Sequence, residues 1–350
     1  MAVLRGRVQQ HFKSIGTTST GGRSLAQKAF IILSIFAVLY TVPLAIDLSW
    51  PWLVLIYGVQ GIVLSLIGFN IMHDGSHGSF SDNKTINTIT AYSLNLLGGN
   101  AFFWKQKHCI NHHTFTNIED VDDDIDLKPF LRLHDEQKHL WFHKYQHIYA
   151  CFLYTVTLLF WIHYRDYKKY FTRKIAVETP MEDITVSQHF IFWISKILHL
   201  VLFLYIPSLF IPFSIVLGGY LLMTLTCGLS LAVVFQLAHI VEGTAFEAAN
   251  AENNKVAIPT EWSIHQINTT VNFAMKNPVW TWLLGGLNYQ MVHHLFPKIS
   301  HVHYPVIHNI ITDCCKEYGI SYLEFPTMRM AFASHIRQLR AMGVPPMAAG

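Results

Sequence analysis

The sequence predicts an all-α integral membrane protein with four transmembrane helices and a cytosolic helical cap. Three observations carry that prediction. Of 350 residues, 51% are hydrophobic and only 13% charged, and the mean hydropathy is +0.29, outside the usual range of a soluble fold. The apolar residues gather into runs long enough to cross a bilayer, for which roughly 20 helical residues suffice. Finally, histidines cluster at or beyond the ends of those runs: His73 and His77, then His108, His112 and His113, then His239, then His293 and His294.

Residues 1–27 carry Arg5, Arg7, Lys13 and Arg23 without a small-residue cleavage pattern. They read as a cytoplasmic N-terminal segment in which Val8 to Phe12 is amphipathic. Residues 28–72 form the first transmembrane hairpin. Lys28 to Leu48 is broken only by Pro43, Trp50 to Met72 has no charge, and Pro43, Asp47, Ser49 and Pro51 crowd the turn between them. Residues 188–238 form the second hairpin, divided near Pro207 and Pro212. Lys196 and His199 fall inside its first arm and are expected near the interface or against protein.

Between the hairpins, residues 73–187 hold two shorter apolar stretches, Ile86 to Phe103 and Ile148 to Tyr164. If the second crossed alone, the basic run Arg165 to Lys174 would lie opposite His108 and His112, against the cytoplasmic retention of Lys and Arg. Only an even number of crossings between the second and third clusters leaves His239 beside His73. Both stretches are therefore expected to be re-entrant or interfacial. They belong to a cytosolic region completed by residues 239–350, with both termini cytoplasmic.

The net charge of +3 is too small to argue for nucleic acid, and no basic stripe or zinc-finger spacing supports it. Five cysteines without a CxxC pair suggest neither a disulfide scaffold nor an iron–sulfur cluster.

The histidine spacing is suited to metal. His73 and His77 lie four residues apart, on one face of a helix and about one turn from each other. His108 and His112 repeat the device, and the adjacent His113 points about 100° away, toward a second metal or the far side of the first. Gln290, His293 and His294 have the same geometry with glutamine leading. The cap is thus expected to hold a histidine-rich dimetal site. Imidazole suits iron, zinc, copper and nickel alike. Zinc is content with three or four ligands, whereas eight histidines suggest two five- or six-coordinate irons with positions for water and dioxygen. His265, in Glu261 to Gln266, is a ninth candidate. His134, His139, His143, His147, His301 and His303 read as surface, structural or packing residues.

NIMHDGSHGSF (Asn70 to Phe80), WKQKHCINHHTFTN (Trp104 to Asn117) and LNYQMVHHLFP (Leu287 to Pro297) resemble the three histidine boxes of membrane fatty acid desaturases. The glutamine-led third box is similar to the front-end and linoleoyl-CoA-desaturase-like branch. The likeness extends through LNLLGG (Leu94 to Gly99), YQHIYA (Tyr145 to Ala150) and FQLAHIVE (Phe235 to Glu242). It implies a non-heme di-iron centre on the cytosolic side, held by His73, His77, His108, His112, His113, His239, His293 and His294. With dioxygen as co-substrate and two electrons, such a centre removes two hydrogens from adjacent methylenes of a fatty acyl substrate, forming a cis double bond. Gln290 stands where related stearoyl-CoA desaturases have histidine, so it binds iron, bonds a metal-bound water, or is replaced by His265. No HPGG motif of a fused heme domain occurs in the sequence. A separate donor, a ferredoxin or a cytochrome with its reductase, is expected to supply electrons. Lys105, Lys107, Lys168, Lys169, Arg173 and Lys174 either dock that partner or anchor the protein on anionic membrane lipid.

The acyl chain should lie in a narrow apolar tunnel shielded from solvent, near Phe69, Phe102, Phe103, Trp104, Tyr289 and Phe273. Gly75, Gly78, Gly98 and Gly99 would let backbone approach metal or chain, or form ordinary turns. The acidic run Glu119 to Asp126 either accepts hydrogen bonds from ligand rings, as metal-binding histidines require, or forms a solvated face. Asp74 and Glu242, beside ligands, are favoured for the supporting role. An acyl hydroxylase or acetylenase would use the same ligands, and the acyl carrier (CoA, acyl carrier protein or lipid) is open. A transporter or metal-transport protein would need broken helices and polar residues at mid-span, which Trp50 to Met72 lacks.

Overall fold

The computed structural model describes residues 1–345 apart from 136, 178, 248–249, 253–254 and 258–259. It is built almost wholly of helices. The long ones are α1 (Ala2–Ile15), α2 (Gly22–Ala45), α3 (Trp50–His77), α4 (His143–Thr172), α5 (Val186–Ser208), α6 (Phe213–His239), α7 (Tyr304–Glu317) and α8 (Met328–Met342). Five of them, α2 to α6, are long and apolar enough to cross a membrane, and the protein is a multi-pass membrane protein. Strand structure among the described residues is confined to two short pairs, one antiparallel (Asn250–Glu252 with Lys255–Ala257) and one parallel (Val271–Phe273 with Leu323–Phe325).

The core of the apolar part is the packing of α6 against α3 and α4, with α2 on the outer side of α3. Gly61 permits the closest approach. A Cβ there would lie 2.1 Å from the carbonyl oxygen of Met223 on α6, so any larger side chain would push the two helices apart. The outward faces remain apolar: Phe30, Val38, Trp50 and Phe213 are all more than half exposed, as expected of helices solvated by lipid rather than water.

The stretch from residue 86 to 103 is broken into Lys84–Ala91, Ser93–Leu96 and Ala101–Trp104, none long enough to span. Ile148 to Tyr164, by contrast, is part of the 30-residue α4. Both ends of α4 are tied down by residues far away in sequence. At its start, Gln146 hydrogen-bonds the Arg132 and Leu339 carbonyls and Tyr154 meets His335 of α8; at its end, Arg165 and Lys169 reach Asp123.

Lys196 and His199 face protein, as one of the expected alternatives had it. The Lys196 ammonium donates to Asp166 Oδ2 at 2.6 Å and to the carbonyls of Gly98 and Ile162. His199 bridges the Leu96 carbonyl and the Tyr220 hydroxyl. The amphipathic α1 buries Leu4 and Val8 against α7, and Arg7 pairs with Glu317.

Candidate metal centre

Two π-helical segments prepare the site. The first, Gly68–Met72, delivers His73 and His77 at the end of α3. The second, Lys105–His112, carries the middle cluster. A π-helical turn closes at i+5 rather than i+4, so His113 comes beneath His108 as well as His112: the ring centroids are 4.9 and 5.1 Å from that of His108. The expected divergence of His113 by about 100° belongs to a regular α-helix, and the wider turn brings all three rings inward. His239 is the last residue of α6, and His293 and His294 sit on the short helix Gln290–Leu295.

These rings converge. The donor atoms of His73, His77, His108 and His293 lie within 4.8 Å of one another, and so do those of His112, His239 and His294. His113 forms a third such group with His293 and His294, joining the other two. Two non-overlapping donor sets side by side are what a pair of metal ions needs.

The ring orientations are fixed from outside. His108 and His112 turn Nδ1 to Asp124 and Asp122 at 2.8 Å, and His239 turns Nδ1 to the Thr269 carbonyl at 3.1 Å. His293 faces the Tyr304 hydroxyl at 3.0 Å and His294 the Gln266 Oε1 at 2.7 Å. The network assigns the proton to Nδ1 on the rings facing a carbonyl or carboxylate, so Nε2 carries the lone pair; it is open on His108 and His112 and faces the Gln290 amide on His239 and His294. The Nε2 atoms of His73, His108, His112 and His293, and both nitrogens of His113, are buried without a hydrogen-bond partner among the described residues. Buried polar groups are rarely left so, and metal ligation would satisfy them.

Electrostatics favour neutral rings. Burial pulls His108 down to about 3, with partial relief from Asp124, and burial beside other rings holds His113, His293 and His294 well below the usual histidine range. His112 differs: burial lowers it, but Asp122 outweighs burial and its pKa is raised.

The three residues expected in a supporting role are placed differently. Gln290 lies at the heart of the site, its Nε2 2.9 Å from His239 Nε2 and 3.2 Å from His294 Nε2. Asp74 is buried, bonded to Ser300 and His301, with Oδ1 4.0 Å from His73 Nδ1. Glu242, in contrast, points away to Ser334 and Arg337 on a partly exposed face. His265 stands outside the donor groups: its Nε2 meets the Thr116 carbonyl at 2.9 Å and its Nδ1 lies 3.7 Å from Glu247. The acidic run divides its labour. Asp124 and Asp122 orient the His108 and His112 rings, whereas Asp123 holds Lys169 and Arg165. Tyr304 and Gln266, which orient His293 and His294, had no signal in local spacing.

A cavity of about 800 Å³ reaches the centre, with His73, His108 and Gln290 in its wall. Phe69, Leu97, Trp104, Leu158 and Phe235 give it an apolar lining, to which Asp124, Lys128, Arg165 and Lys168 add charge. Phe69 and Trp104 are where the sequence suggested. Phe102 and Phe103 instead join an aromatic cluster with Tyr170 and Phe192, Phe273 packs on Val234 and Leu237, and Tyr289 lines another pocket. Gly75 and Gly98 serve packing, against Thr90 and His199.

The model of one known family, described as fatty acid desaturase, matches residues 48–326. The chain belongs to that family. The desaturase is 35% identical to the sn-1 linoleoyl-lipid 6-desaturase of Synechocystis sp., over 97% of this chain and 94% of the relative. It is 34% identical to the acyl-lipid (8-3)-desaturase of Physcomitrium patens, over 98% of this chain and 71% of that protein. A second sn-1 linoleoyl-lipid 6-desaturase, from Arthrospira platensis, is 33% identical over 86% of this chain and 85% of its own length. Membership, the buried donor sets and the apolar cavity together make it a membrane-embedded oxidoreductase that forms double bonds in fatty acyl chains with dioxygen. Nothing supports the transporter alternative.

Proposed function

We propose that the protein desaturates acyl groups esterified in membrane lipids, over two iron ions held by His73, His77, His108, His112, His113, His239, His293 and His294. The observation that carries this reading is the shared wall: His73, His108 and Gln290 face the same apolar cavity that α4 and α6 enclose. When bound, the metal pair supplies the oxidising power that no side-chain base has toward an unactivated methylene. The chain's own residues do the rest. Phe69, Leu158 and Phe235 exclude water from the acyl segment and hold it near the centre. Asp122, Asp124 and Gln266 hold His112, His108 and His294 in one tautomer, and Tyr304 orients the His293 ring. Overall, two hydrogens leave the acyl chain, and two electrons and two protons from outside complete the reduction of dioxygen to two waters. Carriage by lipid is favoured by the names of the relatives from Synechocystis and Physcomitrium, a linoleoyl-lipid and an acyl-lipid desaturase.

Four crossings and a cytoplasmic centre complete the reading. His77 and His239 meet at one site although each ends a long helix, so α3 and α6 run in the same direction. An odd number of crossings must then lie between the second histidine cluster and the start of α6. With α5 crossing, that parity has α4 packed on α6 as a re-entrant helix that does not cross on its own, in keeping with the partners that hold both its ends. Lys105, Lys168, Arg173 and Lys174 remain exposed for a separate electron donor, whereas Lys107 and Lys169 are engaged by Asp124 and Asp123.

The test is expression in a host lacking the product, with gas-chromatographic mass spectrometry of each lipid class and a His112→Ala control. New alkene in glycerolipids before any in the acyl-CoA pool is expected, with close to two irons per purified chain. Alcohol or alkyne products, or tightly bound zinc without redox activity, would overturn the assignment.

A further inference from the structure

A second pocket, of about 560 Å³, opens between the start of α2 and the segments 275–289 and 301–305. Lys28, Lys276, Thr281, Trp282, Tyr289 and His301 line it, and no carboxylate does. The cavity at the metal centre has mixed charge, but this one has two cations and no anion.

Lys28 is 7% exposed, and its ammonium lies 3.0 Å from His301 Nε2 and 4.9 Å from the Trp282 ring. An ammonium has three donors, and His301 is the one hydrogen-bond partner of Lys28 among the described residues. The nearest carboxylate in this chain of contacts, Asp74, is held by Ser300 and by the other face of His301. Lys276 is exposed and makes no ion pair among the described residues. A buried cation with unused donors, beside an empty-handed second cation, forms a receptor for an anion.

The surroundings fix the kind of anion. Phe30 and Ile31 stand exposed on the first turns of α2, and Val279, Trp280 and Trp282 are exposed on the facing segment. Apolar residues with tryptophan and lysine at the mouth of a spanning helix mark headgroup depth. We propose that this pocket binds the phosphate of an anionic membrane lipid headgroup, with Lys28 and Lys276 as its ligands and Trp282 as one wall. Occupancy would place that anion three hydrogen bonds from Asp74, through Lys28 and His301, and Asp74 is the neighbour of His73. The site is distinct from the acyl cavity, and binding there is measured without turnover.

Native mass spectrometry of the purified holoenzyme, offered equal amounts of phosphatidylglycerol and phosphatidylcholine, tests it. The wild type is expected to retain one phosphatidylglycerol in preference. At about 1 kcal/mol per basic residue near a headgroup, Lys28→Gln should weaken retention roughly fivefold and the charge reversal Lys276→Glu roughly 25-fold. Lys276 is exposed, so its variant reports even if Lys28→Gln fails to fold. Inorganic phosphate alone forms a further arm: displacement of the lipid supports recognition of the phosphate group itself, and resistance supports recognition of the whole lipid. Equal retention of both lipids, retention unchanged in both variants, or an acidic protein as the sole occupant would overturn the proposal.

Discussion

Asp122 Oδ2 lies 2.8 Å from Nδ1 of His112, with both side chains wholly buried. The same carboxylate accepts from the Asn117 and Asp124 backbone amides, so it shapes the turn that follows the second cluster and aims the ring at the metal position. Loss of such a partner typically weakens metal affinity 10- to 100-fold. Asp122→Asn should therefore lose iron to a chelator at a concentration lower by about that factor. Glu242→Gln should match the wild type, since Glu242 faces Arg337. Elemental analysis across a chelator titration decides, and equal loss in the two variants would mean that Asp122 only stabilises the fold.

His265 provides a second discrimination. Its Nε2 is already engaged by the Thr116 carbonyl, four residues beyond His112. His265→Ala is expected to keep close to two irons per chain while losing about 1–3 kcal/mol of stability from the stranded buried acceptor. A drop toward one iron in a folded, monodisperse sample would restore His265 as a ligand.

The distribution of legible and illegible features follows the range of the contacts. His73 with His77, and Gln290 with His294, are one-turn pairs that spacing alone exposes. His113 joins His108 because a π-helical segment widens the turn, and no periodicity in Lys105 to His112 announces it. The split between Asp122 and Asp124 on one side and Asp123 on the other depends on a turn in which Asn117 and Asp120 adopt positive φ. Span lengths were readable from hydropathy, but α4 is as long as a span and is pinned at both ends by partners far away in sequence, such as His335 and Asp123. The tunnel aromatics failed for the same reason: Phe102 and Phe273 are apolar and near the boxes, yet they pack on segments that proximity along the chain cannot reveal.

Acidification should destabilise the metal-free protein. His108, His113, His293 and His294 have folded-state pKa values below their ordinary one because burial disfavours the cation. Below about pH 6.5 the unfolded chain takes up protons that the folded chain refuses, so stability rises with pH in that window. Each such ring contributes a slope of up to about 1.4 kcal/mol per pH unit, continuing for His108 to about pH 3. His112 has the opposite sign: its contribution is complete below about pH 6.5 and disappears as pH rises through its raised value. Four rings outweigh one. Thermal unfolding in detergent between pH 7 and 5 should show a falling midpoint; bound iron should raise the midpoint without removing the slope, because the rings it would bind are already unprotonated in the folded chain. A midpoint independent of pH would contradict neutral, buried rings.

The ion pair of Lys196 with Asp166 lies inside the apolar packing. Removing one member of a buried pair costs about 3–5 kcal/mol, whereas replacing both by apolar residues of similar volume is often neutral. Asp166→Leu alone should lower thermal stability strongly, and Lys196→Met added to it should recover much of the loss. The Gly98 and Ile162 carbonyls, which also accept from Lys196, will limit that recovery. A double variant no better than either single one would show that Lys196 stabilises through those carbonyls rather than through its charge pair.

Cavity depth sets the last expectation. Leu97 and Leu158 line the cavity and are each only 1% exposed, whereas Lys128 and Lys168 in its wall are accessible. If the exposed lysines mark the mouth and the buried leucines the closed end, the leucines meet the methyl end of an acyl chain. Enlarging one by a few atoms, as in Leu158→Phe, shortens the space beyond the metal centre without touching a ligand, at about 1–3 kcal/mol of overpacking. Long acyl chains should then be converted less well while shorter ones retain their rate, with iron content unchanged. The readout is the ratio of products from mixed chain lengths. An equal fall for every length would place the methyl end elsewhere and move the acyl path away from α4.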